Sequence, residues 1–171
     1  MFENFGFGTV LAVILAAAIG IYLYRLDKKE KSDPLAALYR QYATLSPDLL
    51  ESLSDEELPR AVAVNILNRT DSRRPDVYTL IPLLSHGQTA VYSVWLFCNE
   101  LAAAELDAVL RSPSGCFAEH AADGFSLIGA IACETALRAE DTAALKAALS
   151  AEQPLALCAA YIRDNPAEFT S

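Results

Sequence analysis

Two residues in the second half of the chain have the types and spacing that nucleophilic or metal chemistry requires. Cys116 follows Ser112–Gly115 at the predicted start of a helix, and His120 lies four residues later on the same helical face. Unpaired backbone N–H groups at a helix start carry partial positive charge, which favours a thiolate. The pair indicates either a Cys–His nucleophile or half of a metal site. The alternative interpretation is a small buried thiol beside a surface histidine.

No other pattern in the sequence strengthens that chemistry. A metal site needs a third ligand, and the only other histidine is His86. Nucleotide-binding, zinc-protease and serine-hydrolase motifs do not occur in the sequence. We therefore expect no enzymatic activity, no metal and no cofactor. Cys116 and His120 remain weak candidates for a Cys-dependent enzyme or redox sensor.

One acidic residue stands out because its neighbours are apolar. Glu100 lies near the end of the apolar stretch Trp95–Leu101, so part of its side chain is expected to be buried. A buried carboxylate needs a hydrogen-bonding or charged partner. Glu100 is therefore predicted to be a structural hydrogen-bonding residue or, less favoured, a binding residue.

The cysteines do not form a recognisable framework. The four are widely spaced, without a Cys-x-x-Cys pair: Cys98, Cys116, Cys133 and Cys158. This pattern is typical of small core residues in a reducing compartment rather than of disulfides or a zinc site.

The elements that position these residues are predicted to be helices throughout. Helix-start signals recur at Asp33–Pro34, at Ser46–Pro47, and at Ser54 and Ser85 with an acid or amide three residues later. The most apolar helix is Ala90–Leu101, whose Val91, Val94, Trp95 and Cys98 share one stripe and predict a central position. Further helices are predicted at Ala61–Asn68, Cys116–Ile128, Ala130–Ala139, Asp141–Ser150 and Gln153–Asp164. Val77–Leu84 is the only run that resembles a strand, and Pro82 argues against it. The predicted fold class is all-α.

The first residues of the chain predict a single transmembrane helix, Gly6–Tyr24. No charged residue occurs between Asn4 and Tyr24, and about 20 apolar residues span a hydrocarbon core of about 30 Å. A cleaved signal peptide needs basic residues before the apolar run and small residues after it, and neither is present. We therefore predict an uncleaved anchor with its juxtamembrane segment at residues 1–31, followed by a helical domain at residues 32–171.

Charge is distributed unevenly between these two parts. Arg25–Lys31 contains four basic and two acidic residues, which places this side of the membrane, and hence the domain, in the cytoplasm with the N-terminus outside. From Ser32 onward there are 19 acidic and 9 basic residues, a net charge of −10. Such a domain repels nucleic acid but can accommodate a basic protein partner.

Small residues recur every four positions in the predicted membrane helix, at Ala12, Ala16 and Gly20. This stripe permits close approach of a second helix within the lipid bilayer. It predicts either a homodimer or an accessory subunit of a larger membrane complex.

The order of motifs in Ser85–Ala144 resembles the bacterial DNA-mimic-protein-like family of helical domains, whose function is largely unassigned. The resemblance is carried by Ser85–Gln88, Val91–Leu101, Ser114–Phe117 and Ala122–Ala130. Glu100, Gly129 and Ala130 match pattern positions, whereas Leu101–Ala103 stands where the family has Asn-Gly-Gly. The resemblance implies an all-helical fold and no demonstrated general catalytic activity, and the family's name suggests an acidic surface that competes with DNA for a protein.

Together these features favour a membrane-anchored, non-enzymatic protein-interaction module with a basic protein as its partner. The two alternatives are the Cys116/His120 enzyme or redox sensor and the accessory subunit of a membrane complex.

Overall fold

The structure, a computed structural model, describes residues 34–70 and 77–170. By its internal contacts the chain divides into two units, Met1–Gln41 and Tyr42–Ser171. The predicted anchor Gly6–Tyr24, its Ala12–Gly20 stripe and the domain boundary after residue 31 lie outside the described residues and stay predictions. Within the described ranges, no helix has both the length and the hydropathy that crossing a membrane requires.

All regular elements of the described residues are helices, which confirms the all-α prediction. The α-helices are α1 (Pro34–Gln41), α2 (Pro47–Ser52), α3 (Glu57–Leu67), α4 (His86–Ala103), α5 (Leu106–Arg111), α6 (Ala118–Leu127), α7 (Ile131–Arg138), α8 (Thr142–Glu152) and α9 (Pro154–Asp164). Three short 3-10 helices cover Val77–Leu83, Pro113–Phe117 and Pro166–Glu168.

The local start signals of the helices are satisfied by hydrogen bonds. The Ser46 hydroxyl accepts the Leu49 N–H at 3.2 Å at the start of α2. Ser85 and Gln88 form a complete capping box, since each side chain accepts the other residue's backbone N–H, at 3.0 and 3.2 Å. A cap of this kind satisfies N–H groups that have no partner within the helix. α4 therefore begins at His86, four residues before the predicted Ala90.

The helix after Ser54 also begins earlier than predicted. We expected it to run from Ala61, but α3 starts at Glu57 with Pro59 in its first turn. The Glu57 carboxylate accepts the Ser54 backbone N–H at 3.1 Å. Proline is tolerated there because the first helical residues have no intrahelical partner for an N–H.

The run that resembled a strand is a 3-10 helix, Val77–Leu83, with Pro82 inside it. Proline has no N–H to donate to a sheet ladder, which agrees with the prediction that Pro82 argues against a strand.

The core of the Tyr42–Ser171 unit is built around α4, which packs mainly against α6, α3 and α9. Val91, Val94 and Phe97 on α4 are fully buried. Trp95 and Cys98, which we predicted to share the buried stripe, are only half-buried. The central position of α4 agrees with the prediction, while the fully buried line of side chains includes Phe97 instead.

A glycine allows α4 and α6 to approach closely. A Cβ atom at Gly124 on α6 would lie 2.9 Å from the Ala90 carbonyl oxygen and 2.9 Å from Val94 Cγ2. Both distances are shorter than real Cβ contacts, so any larger residue forces the two helices apart.

Long-range polar contacts fix the C-terminal segment to the rest of this unit. Glu168 accepts the Gly87 N–H at 2.8 Å with one carboxylate oxygen and the Tyr161 hydroxyl at 2.9 Å with the other. Arg163 on α9 donates to the Leu53 carbonyl and to Asp55, both at 2.8 Å. The end of the chain thereby holds both the start of α4 and the end of α2.

Candidate functional site

Cys116 lies in the 3-10 helix Pro113–Phe117 rather than at the start of an α-helix. α6 begins at Ala118, so the predicted helix start at Cys116 is wrong by two residues. The thiol is exposed and donates to the Pro113 carbonyl oxygen at 3.0 Å. A carbonyl oxygen is a negative neighbour, whereas our prediction of a thiolate relied on positive backbone N–H groups.

His120 lies on the first turns of α6, half-buried beside aromatic rings. The centre of its ring is 6.2 Å from that of Tyr78 and 6.4 Å from that of Phe117. Phe117 in turn contacts Tyr92 edge-on at 5.5 Å. This packing fixes the imidazole among aromatic side chains. A catalytic or metal-binding role for Cys116 and His120 stays a prediction.

Glu100 is half-buried near the end of α4, as its apolar neighbours suggested. Its Oε1 atom accepts the Ser114 hydroxyl at 3.2 Å and so connects α4 to the 3-10 helix Pro113–Phe117. That serine hydrogen bond gives the carboxylate the partner that a partly buried acid needs. A binding role for Glu100 stays a prediction.

The four cysteines occupy different environments. Cys133 and Cys158 are buried, Cys98 is half-buried and Cys116 is exposed, so the prediction that all four are core residues is wrong for Cys116. Burial raises the pKa of Cys98 to about 12. Burial, together with the hydrogen bond and charge of Glu152, also raises the pKa of Cys133 to about 12. At neutral pH these two thiols are therefore protonated and unreactive.

A groove that the sequence did not reveal opens at the C-terminal end of α4. We call it the Cys98 groove; it has a volume of about 650 Å³ and lies between α4, the end of α8, the start of α9 and the residues before α3. Its lining comprises Asp55, Glu56, Cys98, Leu101, Ala102, Lys146, Leu149, Ser150, Gln153, Pro154, Leu155 and Ala156. Because the contributing segments are up to about 100 residues apart in the chain, no local sequence motif predicts the groove.

The charged side chains of the groove differ in how well they are compensated. Lys146 is bound by both carboxylate oxygens of Glu105, at 2.7 and 2.8 Å. Asp55 accepts two hydrogen bonds from Arg163. Glu56 is exposed and forms no ion pair with any described residue. The uncompensated charge at the edge of the groove is therefore negative.

The negative charge continues along the chain before the groove. We call residues 48–57 the acidic segment, because five of its ten residues are Asp48, Glu51, Asp55, Glu56 and Glu57. Hydrogen bonds from the Ser54 side chain and backbone lower the pKa of Glu57, which keeps it ionised at neutral pH. Within the described part of the chain, only Asp55 of these five forms an ion pair. The acidic segment thus presents concentrated negative charge to solvent.

A second, larger groove lies between α7 and α8 and offers less chemistry. It has a volume of about 910 Å³ and is lined mainly by alanine. Its two carboxylates already have partners, since Asp141 accepts the Ala144 N–H and Glu152 accepts the N–H groups of Ala132 and Cys133. No group of three or more metal-binding side chains occurs among the residues that the structure describes.

No protein-family model matches the chain, and searches of the curated proteins and of the solved structures find no significant match. The resemblance of Ser85–Ala144 to the DNA-mimic-protein-like family therefore stays a prediction.

Proposed function

We propose that the chain is a membrane-anchored protein-interaction module, whose acidic helical unit binds a basic partner protein and carries out no catalysis. The observation that carries this proposal is the acidic segment, which holds five carboxylates within ten residues, two of which, Asp55 and Glu56, line the Cys98 groove. Four of the five form no ion pair among the described residues. The charges of Asp48, Glu51 and Glu56, which are exposed, are therefore available to an external cation, whereas the Glu57 carboxylate is bound by Ser54.

The electrostatics favour a protein over a nucleic acid. Residues from Ser32 onward carry a net charge of −10, which repels phosphate and accelerates encounters with basic surfaces. Exposed charges are screened over about 8–10 Å at physiological salt, so only a partner with basic residues close to the acidic segment gains from them. A partner with a lysine- or arginine-rich docking surface fits these conditions.

The membrane part of the proposal rests on the sequence of the first 31 residues. An apolar Gly6–Tyr24 helix followed by basic residues would hold the acidic unit at the cytoplasmic face. Deleting residues 1–31 should move the protein from the membrane fraction to the supernatant. Protease added to intact cells should leave the acidic unit uncut; its removal under those conditions would refute the orientation.

The partner-binding part is tested by charge reversal on the full-length protein. Asp48→Lys with Glu51→Lys reverses two exposed acids that form no ion pair with described residues. Glu119→Lys with Glu140→Lys is the matched control, because these acids are also exposed and one acid of each pair lies in the first turn of a helix. Each variant is purified from detergent-solubilised membranes and its co-purifying proteins are quantified.

We expect the wild type and the control to recover the same basic protein, and the Asp48/Glu51 variant to recover at least about fivefold less of it. Recovery should also fall when salt is raised from about 0.05 M to about 0.3 M, because ion pairing at an exposed surface is screened. Equal recovery by all three proteins, or repeated purification without any partner, would refute the proposal.

A second candidate function, a thiol-based sensor at Cys116, is favoured by one observation, the exposure of this cysteine. Thiol labelling of the full-length protein at neutral pH tests it. A sensor thiol should react faster than a cysteine placed at another exposed site, for example in Ala103→Cys, and His120→Ala should slow it. Equal rates at Cys116 and at the control cysteine leave no special reactivity to explain.

A further inference from the structure

We infer that the Cys98 groove is the docking site for an amphipathic helix of the partner protein, one that inserts apolar side chains into the groove and carries lysine or arginine beside them. This inference rests on the proposed function and deepens it by naming the surface and the chemistry of the segment that binds there.

The interior of the groove is suited to apolar side chains. Leu101 on α4, Leu149 on α8 and Leu155 on α9 face it together with the half-buried Cys98. Leu155 is 36% exposed, which makes it one of only four large hydrophobic residues that are markedly exposed in the described structure. An incoming apolar side chain would remove this surface from water.

The polar groups of the groove do not favour a small polar ligand. Lys146 and Asp55 are held by Glu105 and Arg163 respectively, so neither converges on a shared point inside the groove. The one buried polar side-chain atom without a hydrogen-bond partner in the described structure is the Ser93 hydroxyl, which does not line the groove. Recognition here must come from shape and apolar contact, as when an amphipathic helix binds in a groove.

The charge around the groove selects a basic segment over other occupants. Glu56 at the edge is exposed and lacks an ion-pair partner among the described residues, and the acidic segment continues from it. Lysine or arginine on the flank of the docked helix would meet the Glu56 carboxylate. A second copy of this chain is disfavoured, because it would bring another acidic segment and a further charge of −10 to the same surface.

The volume agrees with an occupant of this type. About 650 Å³ lies within the range of sites that take several buried side chains or one small ligand. A helix inserts side chains from one face at positions i, i+3, i+4 and i+7, so a groove of this size can take several apolar side chains of one helix face.

Site-specific photo-crosslinking in cells identifies the occupant. In one variant of the full-length chain a photoreactive amino acid replaces Leu155. In a second variant of the same chain it replaces Leu83, which is 77% exposed and does not line the groove. We expect position 155, but not position 83, to crosslink to one segment of a partner with helical apolar spacing and net positive charge. Crosslinks from position 155 to lipid, to a second copy or to an acidic segment, or no specific crosslink, would overturn the inference.

Binding of the crosslinked segment, made as a synthetic peptide, measures the two parts of the recognition separately. Leu155→Ser tests apolar insertion without adding charge, and Glu56→Lys tests charge; Leu83→Ser and Glu119→Lys are the matched controls, all on the full-length protein in a zwitterionic detergent. We expect each groove variant to weaken binding about tenfold and each control less than about twofold. All four side chains are at least partly exposed, and circular dichroism verifies that each variant is folded.

The results separate this inference from the proposed function. If the Asp48/Glu51 reversal releases the partner while Leu155→Ser leaves binding unchanged, the module stands and the groove is not its docking site. If Leu155→Ser weakens binding but Glu56→Lys does not, the basic character of the helix is refuted. If the partner is recovered equally by all variants, both conclusions fail.

Discussion

The two ends of the central helix α4 differ in how they are covered by the rest of the fold. At the N-terminal end, Ser85, Gln88 and Glu168 bind the first backbone N–H groups, and Gly87 lies against the Glu168 carboxylate and the Tyr161 ring. At the C-terminal end, Cys98, Leu101 and Ala102 face the Cys98 groove. The N-terminal end of α4 is thus covered by long-range hydrogen bonds and packing, whereas a groove lies open beside its C-terminal end. Substitutions of buried α4 residues and of its N-terminal contacts should therefore cost stability, whereas substitutions of residues that face the groove should cost less stability and, on the proposed function, weaken binding.

The sharpest test compares two residues of α4 that are one turn apart. Phe97 is fully buried, so Phe97→Ala should lower the free energy of unfolding by about 3–5 kcal/mol. Leu101 is half-buried and faces the groove, so Leu101→Ala should cost about 1 kcal/mol. Urea unfolding followed by circular dichroism measures both. Similar costs for the two variants would show that the groove is closed in solution.

The contact between α4 and α6 gives the next largest effect. Gly124→Ala should destabilise by about 1–3 kcal/mol, because its Cβ atom would press on Ala90 and Val94. Ser126→Ala on the same helix is the control; this side chain is exposed, and the change should stay within about 0.5 kcal/mol. If Gly124→Ala is as stable as the control, the helices are less tightly packed than the structure indicates.

Substitution of Glu168 tests the hydrogen bonds at the N-terminal end of α4 directly. Glu168→Gln should cost about 1–2 kcal/mol, since charged hydrogen bonds to the Gly87 N–H and the Tyr161 hydroxyl are weakened. The pKa of Tyr161 is raised mainly by burial, and also by the hydrogen bond to Glu168 and the negative charge of that carboxylate. In the variant this pKa should fall part of the way to its ordinary value, because burial remains. Nuclear magnetic resonance titration of Tyr161 measures the change, and an unaltered pKa would contradict the contact.

Glu152 directly precedes the part of α9 that lines the groove. We expect its substitution to have the smallest effect on stability, and we expect that effect to depend on pH. Burial opposes the ionisation of Glu152. Hydrogen bonds from the backbone N–H groups of Ala132 and Cys133 and from the Cys133 thiol outweigh burial and lower the pKa of Glu152. Its stabilisation, about 1 kcal/mol as for a helix cap, is therefore complete above the unfolded value of about 4.3. It is lost as pH falls through the lower pKa of the folded state.

Unfolding in urea from pH 7 down to pH 3 checks this prediction. The wild type should lose its advantage over Glu152→Gln in the acidic part of that range, since glutamine does not titrate. A difference between the two proteins that is independent of pH would mean that the carboxylate does not cap α7. Glu105→Gln, at an exposed ion pair with Lys146, should show a smaller difference because solvent screens that pair.

Much of the secondary structure follows from the sequence because its signals are local. Ser-Pro pairs and the Ser85–Gln88 capping box each lie within four residues of the first residue of the helix that they begin. Pro82 excludes a strand for a reason that needs no tertiary contact. The errors at α3, α4 and α6 are of two to four residues. Their cause is that an apolar pattern locates the buried face of a helix better than its ends.

The candidate site was much less predictable than the fold. Cys116 and His120 were chosen by spacing along one helix, but the 3-10 helix Pro113–Phe117 separates the thiol from α6. Glu100 was recognised as a partly buried acid, yet its partner Ser114 could not be named from spacing alone. The Cys98 groove was missed altogether, because its lining comes from four separate segments.

The sequence alone determined the helical class of the described residues, most helix starts, the central position of α4 and the excess of negative charge. These features depend on side chains within a turn or two of one another, or on composition. The tertiary structure alone decided which cysteines are buried, how closely α6 approaches α4 at Gly124, that Glu168 binds Gly87 from 81 residues away, and where a groove opens. Such contacts depend on how distant segments pack together, and no local pattern of residues specifies that packing.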